Sequence, residues 1–272
     1  MTTTLQKASI YTILAIALIL VLVPMGVMIT VSLQTSSSVN PLALPRDPQW
    51  GNYVEALRTG NLLPYFSNSI LVLVITTTVA IAIAVLAAYG LHHGRRYKSD
   101  ALSTFFLMGM ILPAFSGTIP AFLVLREIHL LNTHIGLSLI QIASGLALPI
   151  FLYVNFFKTV PREIEEAAVV DGCGPWRTFL RIIFPLTLPI TATTVIVVAI
   201  NSWNDFFNPL IYLSSPEMRT LPVGLMAFKS QYNTNWPQMF AGATLVALPI
   251  IILYMFVQRF IIKGMVGGAV KG

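Results

Sequence analysis

The sequence predicts an all-α, polytopic membrane protein with six transmembrane helices, and three observations support this prediction. Hydrophobic residues make up 56% of the 272 residues and charged residues only 10%, whereas soluble domains carry about 25% charged residues. The charged residues are grouped, so that long uncharged runs separate them. Backbone polar groups in lipid need internal partners, so these runs predict helices rather than open strands. Water is therefore not the main solvent of this chain.

Each uncharged run is long enough to cross a bilayer once. No Asp, Glu, Lys or Arg occurs between Lys7 and Arg46 or between Arg58 and Arg95, for example. A spanning helix needs about 20 apolar residues at a rise of about 1.5 Å each. The predicted spans are residues 9–33, 68–91, 101–125, 134–157, 187–213 and 240–262. Residues 1–272 would then form a single transmembrane domain, kinked where prolines fall inside the spans.

The basic residues predict that both termini lie in the cytoplasm. With the N-terminus inside, eleven of the 16 Lys and Arg residues fall on the cytoplasmic side, as the positive-inside rule requires. The first apolar segment is then a retained helix rather than a signal peptide. The basic pI of 9.6 follows from this topology, and a nucleic-acid partner is not expected. Residues 34–67 and 214–239 are predicted external loops, and residues 158–186 a cytoplasmic loop.

The cytoplasmic loop reads as two short helices with a turn between them. Pro161 suits a first helical position, and Gly172 lies where a helix would end in a left-handed residue. Gly174-Pro175 would begin the second helix. Its apolar residues recur at three- and four-residue spacing and predict one apolar face: Trp176, Phe179, Leu180 and Ile183.

Two interpretations of this loop stay open on physical grounds. An amphipathic hairpin could lie on the lipid surface, which nearby basic residues would favour. Alternatively, the loop is a docking element for a cytoplasmic protein. Glu163, Glu165 and Glu166 lie close together and argue against contact with an anionic leaflet, which favours the protein partner.

The spacing of the loop resembles that of permease subunits of ATP-binding-cassette importers. Their cytoplasmic pattern is E-A-A, three residues, Gly, nine residues, Ile, one residue and Leu-Pro. This chain has Glu166-Ala167-Ala168, Gly172, Ile182 and Phe184-Pro185 at that spacing, with Phe184 in place of leucine. The stretches PRDPQWGNYVEAL (45–57), LREIHLLNTHIGL (125–137), WNDFFNPLIYLSSPEMRTLPVGL (203–225) and GGAVKG (267–272) are similar to the carbohydrate branch. The chain looks most like the six-span subunit of maltose-type importers, in a bacterial cytoplasmic (inner) membrane.

The resemblance implies that the loop couples this chain to a dimer of ATPase subunits. Glu166 would pair with a basic residue of the ATPase, Ala167 and Ala168 would allow close approach, and Gly172 would form the turn. Asp171 and Pro185 complete the predicted coupling set. The tail, here Gly268 to Gly272, would also lie against the ATPase dimer.

The resemblance implies further partners and no catalytic role for this chain. A second permease subunit, commonly a different chain, would complete the path, and an extracytoplasmic solute-binding protein would contact the loop within 214–239. The chain itself would bind no cofactor, because ATP and Mg belong to the partner ATPase subunits. No G-x-x-x-x-G-K-[ST] stretch occurs, so ATP hydrolysis by that route is excluded. We expect no catalytic residue and no metal site, and His92-His93 reads as part of a solvated basic cluster.

Four polar residues in the fifth span are candidates for the substrate path: Asn201, Asn204, Asp205 and Asn208. Their spacing of i, i+3, i+4 and i+7 predicts one face of a helix. They could offer amide and carboxylate groups to sugar hydroxyls, or they could hold helices together at a subunit interface. Both interpretations stay open.

The leading functional hypothesis is a permease subunit of an ATP-driven, binding-protein-dependent sugar importer. The alternative is an ion- or proton-coupled secondary carrier in which Asp205 titrates. A membrane-embedded enzyme has no support, because no metal set or nucleophile–base pair lies at membrane depth. The sequence does not name the sugar, and glycerol phosphate stays open as a substrate of the same branch.

Overall fold

The structure is a computed structural model that describes residues 4–37, 39–59, 62–93, 101–102, 104–106, 108–111, 115–228 and 235–269. The described residues form helices and short turns and contain no strand, which confirms the all-α class. The longer helices are α1 Thr4–Ser32, α2 Gly51–Thr59, α3 Leu62–His93, α4 Thr118–Glu127, α5 His134–Gly145 and α6 Ala147–Phe157. They continue with α7 Arg162–Val170, α8 Pro175–Leu186, α9 Leu188–Asn204, α10 Phe207–Tyr212, α11 Leu221–Gly224 and α12 Trp236–Ala269.

Three helices are long and apolar enough to cross a membrane by themselves. They are Gln6–Ser32, Leu62–His93 and Trp236–Phe256. Two bent pairs, α5 with α6 and α8 with α9, raise the number to as many as five if each pair is one span. The predicted span 101–125 lies partly outside the described residues, so the count of six spans stays a prediction.

Both bends follow from missing backbone donors. Between α5 and α6 the direction changes by 51°, where Pro149 has no N–H to donate to the carbonyl of Gly145. Between α8 and α9 it changes by 73°, and Pro189 likewise cannot bond to the carbonyl four residues earlier. At this second bend, the N–H and the hydroxyl of Thr187 both donate to the Phe184 carbonyl, at 2.9 and 2.7 Å.

The chain divides into two compact units. The first consists of residues 1–65 and 224–249 and the second of residues 66–223 and 250–272. In the first unit, polar side chains fold the segment that follows α1. The Gln34 amide donates to the carbonyls of Asn40 and Ala43, at 2.8 Å each, and the Asn52 amide donates to the carbonyl of Ser32 at 2.8 Å.

The second unit contains the candidate functional site. Its main core lies where α3, α6 and α8 pack together, and the buried residues there are Ala84, Val85, Ala88, Leu91, Ile150, Tyr153, Phe157, Phe179 and Ile183. Alanines on α3 allow the aromatic side chains of α6 and α8 to approach closely, as small residues do between membrane helices. The helical hairpin of α7 and α8 is therefore anchored to the helices of this unit by a continuous apolar core.

Candidate functional site

The hairpin of α7 and α8 has the predicted turn at Gly172. This residue adopts a left-handed conformation with φ of +74°. The N–H of Cys173 donates to the carbonyl of Ala168 at 2.9 Å, and the N–H of Gly172 donates to that of Val169 at 3.0 Å. These two bonds form a Schellman motif, which satisfies carbonyls at the end of α7. A Cβ at position 172 would meet no atom within 4 Å, so the backbone angle, rather than space, favours glycine.

The start of each hairpin helix is set by a proline. Pro175 is the first residue of α8, after an extended Gly174, as predicted. Pro161 is also extended and lies one residue before α7 begins, rather than at the first helical position. Its carbonyl accepts the first bond of α7, from the N–H of Ile164 at 3.4 Å. The sequence prediction for Pro161 is thus wrong by one residue.

The predicted single apolar face of the second hairpin helix is wrong. Phe179 and Ile183 are buried in the core, but Trp176 and Leu180 are 63% and 48% exposed. The cause is local, because Phe179–Ile183 winds as a π-helix, and the wider turn shifts the angular positions that α-helical spacing assumes. Two of the four apolar side chains therefore remain at the surface.

An exposed surface on α7 combines one carboxylate with two apolar side chains. Glu166 is exposed, and Val169 and Val170 are 68% and 87% exposed. These residues are three and four positions apart and so lie on one side of the helix. We call Glu166, Val169 and Val170 the docking face. Covering these two valines with a partner would remove apolar surface from water.

Three of the other predicted coupling residues are exposed and one is buried. Ala167, Asp171 and Pro185 are exposed. Ala168 is buried inside the chain at 2% exposure, because its side of α7 points towards the rest of the second unit. Its small side chain therefore allows close packing within this chain. The tail residues 270–272 lie outside the described residues.

A contact absent from the sequence analysis ties the hairpin to the end of α3. The Nε2 atom of His93 lies against a carboxylate oxygen of Glu165 on α7. The His93 ring also contacts the ring of Tyr89, with centroids 4.2 Å apart. His93 was expected to lie in a solvated cluster. Its side chain is indeed 42% exposed, but it also has a specific partner in Glu165, which was not predicted. Arg95, Arg96 and Lys98 lie outside the described residues.

A cavity of about 440 Å³ lies among α3, α5, α6, α9 and α10. This volume is within the range of roughly 300–1,000 Å³ that is typical of small-molecule sites. Its polar lining residues are Thr76, Gln141, Ser144, Asn201, Ser202, Asp205 and Asn208. Apolar residues, among them Phe115 and Leu148, form the remaining wall.

Gln141 is the central polar residue of this cavity. Its carbonyl oxygen accepts from the hydroxyls of Thr76 at 3.0 Å and Ser202 at 2.7 Å. Its amide nitrogen donates to Asp205 at 2.9 Å. Gln141 was not among the predicted site residues, although an amide in the middle of an uncharged run is a usable signal of a polar partner in the membrane.

The prediction that four polar residues share one helical face is wrong. The helix α9 ends at Asn204, Asp205 is extended, and α10 begins only at Phe207. Pro209 has no N–H for the carbonyl of Asp205, which interrupts the helix there. The Asp205 carboxylate then accepts from the N–H and the side-chain amide of Asn208, at 3.1 and 2.9 Å, and so caps the new helix.

The break separates the four candidates into two groups. Asn201, Asp205 and Asn208 line the cavity, whereas Asn204 is exposed and is not among the lining residues. Asp205 also joins α9 to α5 through Gln141. Asp205 therefore lines the cavity and joins two helices of this chain, while its roles in a substrate path or at a subunit interface stay predictions.

The segment between α10 and α11, residues 213–220, is held by hydrogen bonds from side chains of other parts of the second unit. The Asn68 amide donates to the carbonyl of Glu217 at 2.7 Å. The Asn132 amide donates to the Ser215 hydroxyl at 2.8 Å, and a ring nitrogen of His134 lies 3.0 Å from the carbonyl of Met218. The part of the predicted loop 214–239 that the structure describes is thus ordered by α3, α5 and the α4–α5 connection.

Known proteins resemble this chain over nearly its whole length. It is 34% identical over 253 residues to a putative ABC transporter permease protein of Caldicellulosiruptor sp., covering 92% of each chain. It is 30% identical over 252 residues to the melibiose/raffinose/stachyose import permease protein of Bacillus subtilis, covering 92% and 91% of the two chains.

Solved structures confirm the fold. A chain from a bacterial ABC transporter for import of the acidic polysaccharide alginate matches with a TM-score of 0.82 and 22% identity, over 95% of this chain and 98% of that one. The alginate transporter in complex with an alginate pentasaccharide-bound periplasmic protein matches with a TM-score of 0.69 and 15% identity, over 94% and 93%.

Residues 80–267 match the family described as the binding-protein-dependent transport system inner membrane component. This region includes the hairpin, the Asp205 break and every lining residue of the cavity except Thr76. The resemblance drawn from the hairpin motif is thereby confirmed. The chain belongs to the family of inner-membrane permease components of binding-protein-dependent ABC transport systems.

Proposed function

We propose that this protein is a permease subunit of an ATP-driven sugar importer, multi-pass in a bacterial cytoplasmic membrane. Partner ATPase subunits bind ATP and Mg and hydrolyse the nucleotide, while this chain is non-catalytic and moves the solute. Family membership supports the transport role. The sugar is supported by a relative named for import of melibiose, raffinose and stachyose.

The observation that carries this proposal is the docking face on a rigid hairpin. Glu166, Val169 and Val170 are exposed together on α7, where an ionic contact and apolar burial can act at once. A hairpin lying on lipid would need its carboxylate away from the anionic leaflet, yet this carboxylate shares a face with the exposed valines. The combination favours a protein groove with a basic residue, which an ATPase subunit would supply.

A direct structural path joins the docking face to the cavity. The helix α8 follows the hairpin turn and continues through the bend into α9, whose last residues carry Asn201 and Ser202 in the cavity wall. Phe179 and Ile183 fix α8 to the main core. A displacement of the hairpin would therefore move α9 as a rigid body, the usual form of such transitions. ATP binding drives the change if it favours one of the two states.

The cavity suits a sugar by its composition. It combines hydroxyl, amide and carboxylate groups with an aromatic ring, Phe115, and such a mixture can hydrogen-bond sugar hydroxyls while contacting ring carbons. The opposite wall would come from a second permease subunit. The ordered segment between α10 and α11 would meet the solute-binding protein that delivers the sugar.

A reconstituted complex tests the proposal. The tagged chain is expressed with its partner subunits, purified and placed in proteoliposomes, and uptake of the co-purified binding protein's ligand is measured with and without ATP. Glu166→Lys should reduce ATPase attachment and uptake by at least about tenfold, because it places a positive charge opposite a basic groove. Asp47→Lys makes the same charge change at an exposed site in the first unit and should leave ATPase attachment intact.

The same vesicles separate the importer from the ion-coupled carrier. An importer retains uptake when ionophores collapse ion gradients and loses it when ATP is withheld. A carrier that uses Asp205 shows the opposite pattern. Uptake that needs no ATP, or a Glu166→Lys complex with unchanged uptake and attachment, would refute the proposed function.

A further inference from the structure

We infer that the cavity accepts sugars without negative charge and rejects acidic ones, an inference that rests on the proposed function. Asp205 is the one residue of ionisable type among the lining residues that the structure describes. No Lys or Arg occurs between Asp100 and Arg126, Glu127 and Lys158, or Arg181 and Asp205. The runs that supply most of the wall therefore bring one carboxylate and no basic counter-charge.

Several hydrogen-bond donors of the cavity already have acceptors within this chain. One N–H of Gln141 and one of Asn208 point at Asp205, at 2.9 Å each. The Asn201 amide donates to the carbonyl of Val197 at 2.9 Å, and the Ser144 hydroxyl donates to that of Ile140 at 2.8 Å. A sugar hydroxyl can donate to the oxygens of such a wall, whereas a carboxylate, sulfate or phosphate only accepts.

Charge repulsion from Asp205 also disfavours binding of acidic sugars. An anion about 7 Å from Asp205 is disfavoured by a factor of roughly ten or more at the effective dielectric of a partly buried site. Removing the anion from water adds a further cost unless a cation or several donors replace its hydration. The described lining of this chain offers no such cation, so uronates should bind poorly.

The likeness to the alginate transporter does not oppose this inference. That match has 22% identity and shows a shared fold, while substrate choice depends on the side chains of the site. The residues that would select against charge here belong to this chain: Gln141, Asp205 and Asn208.

Binding to the purified importer complex, without its binding protein, tests the inference. The probes are maltotriose and trigalacturonate, which have the same length but different charge, and equilibrium dialysis at low ionic strength gives both affinities. Maltotriose should bind at least tenfold more tightly to the unaltered complex. Asp205→Asn should narrow this preference to less than about threefold, chiefly by improving trigalacturonate binding. The asparagine retains an oxygen that can cap Asn208, and recovery of the intact complex after gel filtration verifies folding.

Asp47→Asn removes the same charge from an exposed site outside the cavity and should leave the preference unchanged. If the two probes bind equally to the unaltered complex, the inference is wrong while the proposed function stands. The same holds if the preference for maltotriose is unchanged in Asp205→Asn. Binding of neither probe, together with uptake of the co-purified binding protein's ligand that needs no ATP, overturns the proposed function and the inference with it. If uptake depends on ATP but the two probes bind with equal affinity, the proposed function stands and only the inference about charge is wrong.

Discussion

Gly172→Ala should open the hairpin without disturbing any packing contact. An L-residue in the left-handed region costs about 1–2 kcal/mol relative to its usual conformations. The new Cβ would meet no atom within 4 Å, so this backbone cost is the whole expected effect. It corresponds to a rise of about 5–30-fold in the population of the open turn.

Hydrogen exchange measures this opening directly. The N–H groups of residues 172 and 173 close the turn by their bonds to Val169 and Ala168, and their exchange in the detergent-solubilised complex should accelerate by the same factor. Gly172→Asn should accelerate it less, because asparagine tolerates the left-handed region better than alanine. Sugar-stimulated ATP hydrolysis should fall in the same order if a rigid hairpin transmits the coupling.

Gly174→Ala provides the matched control two residues away. Gly174 has φ of −70° and ψ of 159°, which alanine adopts freely, and its Cβ would also meet no atom within 4 Å. Exchange should stay unchanged or slow slightly, because alanine restricts the unfolded chain by about 0.4–1 kcal/mol. Equal exchange in Gly172→Ala and Gly174→Ala would show that the turn is not left-handed in the protein, and the reasoning would fail.

Three further changes test the docking face, the link to α3 and the first unit. Val170→Ser should weaken titrated ATPase binding about tenfold, since burying a valine contributes about 1.5 kcal/mol or more; unchanged affinity would place the partner elsewhere. His93→Ala should speed exchange across α7 by about twofold to fivefold, a modest effect because the His93–Glu165 contact is partly exposed, and no change would make the contact incidental. Gly224→Ala should cost about 1–3 kcal/mol and lower the melting temperature, because its Cβ would lie 2.2 Å from a ring carbon of Tyr65. Gly26→Ala, where a Cβ meets nothing within 4 Å, should not lower it.

The hairpin could be predicted in detail because neighbouring residues determine its geometry. A glycine after a short helix, followed by Gly-Pro, allows few backbone paths, and the structure adopts the expected one at Gly172 and Pro175. Burial within α8 could not be predicted in the same way. It depends on the π-helical winding of Phe179–Ile183, which a pattern that assumes α-helical spacing does not include.

The cavity was predicted in part, and the missing part is long-range. Asn201, Asp205 and Asn208 were identified from their spacing, but Gln141 and Thr76 come from other helices and meet Asp205 only in the folded chain. The helix break itself had a signal in the sequence, since Pro209 follows Asp205 by four residues. Helical periodicity alone predicts one continuous helix here. It does not include the backbone N–H that Pro209 lacks, or the Asp205 carboxylate that competes for backbone N–H groups.

The break at Asp205 lies where two differently attached segments meet. On one side, α9 continues from α8 and is tied to the hairpin core. On the other side, α10 is held by Tyr212, whose hydroxyl donates to the Thr118 carbonyl at 3.1 Å and whose own carbonyl accepts from the N–H of Asn132 at 2.9 Å. If the hairpin moves α9 while α10 stays with α4 and α5, the bond from Ser202 on α9 to Gln141 on α5 must break, and the change in direction must occur at Asp205 and Phe206, the residues between the helices. The carboxylate that would exclude acidic sugars would then also lie at the hinge that changes the shape of the cavity, because the same interrupted backbone produces both.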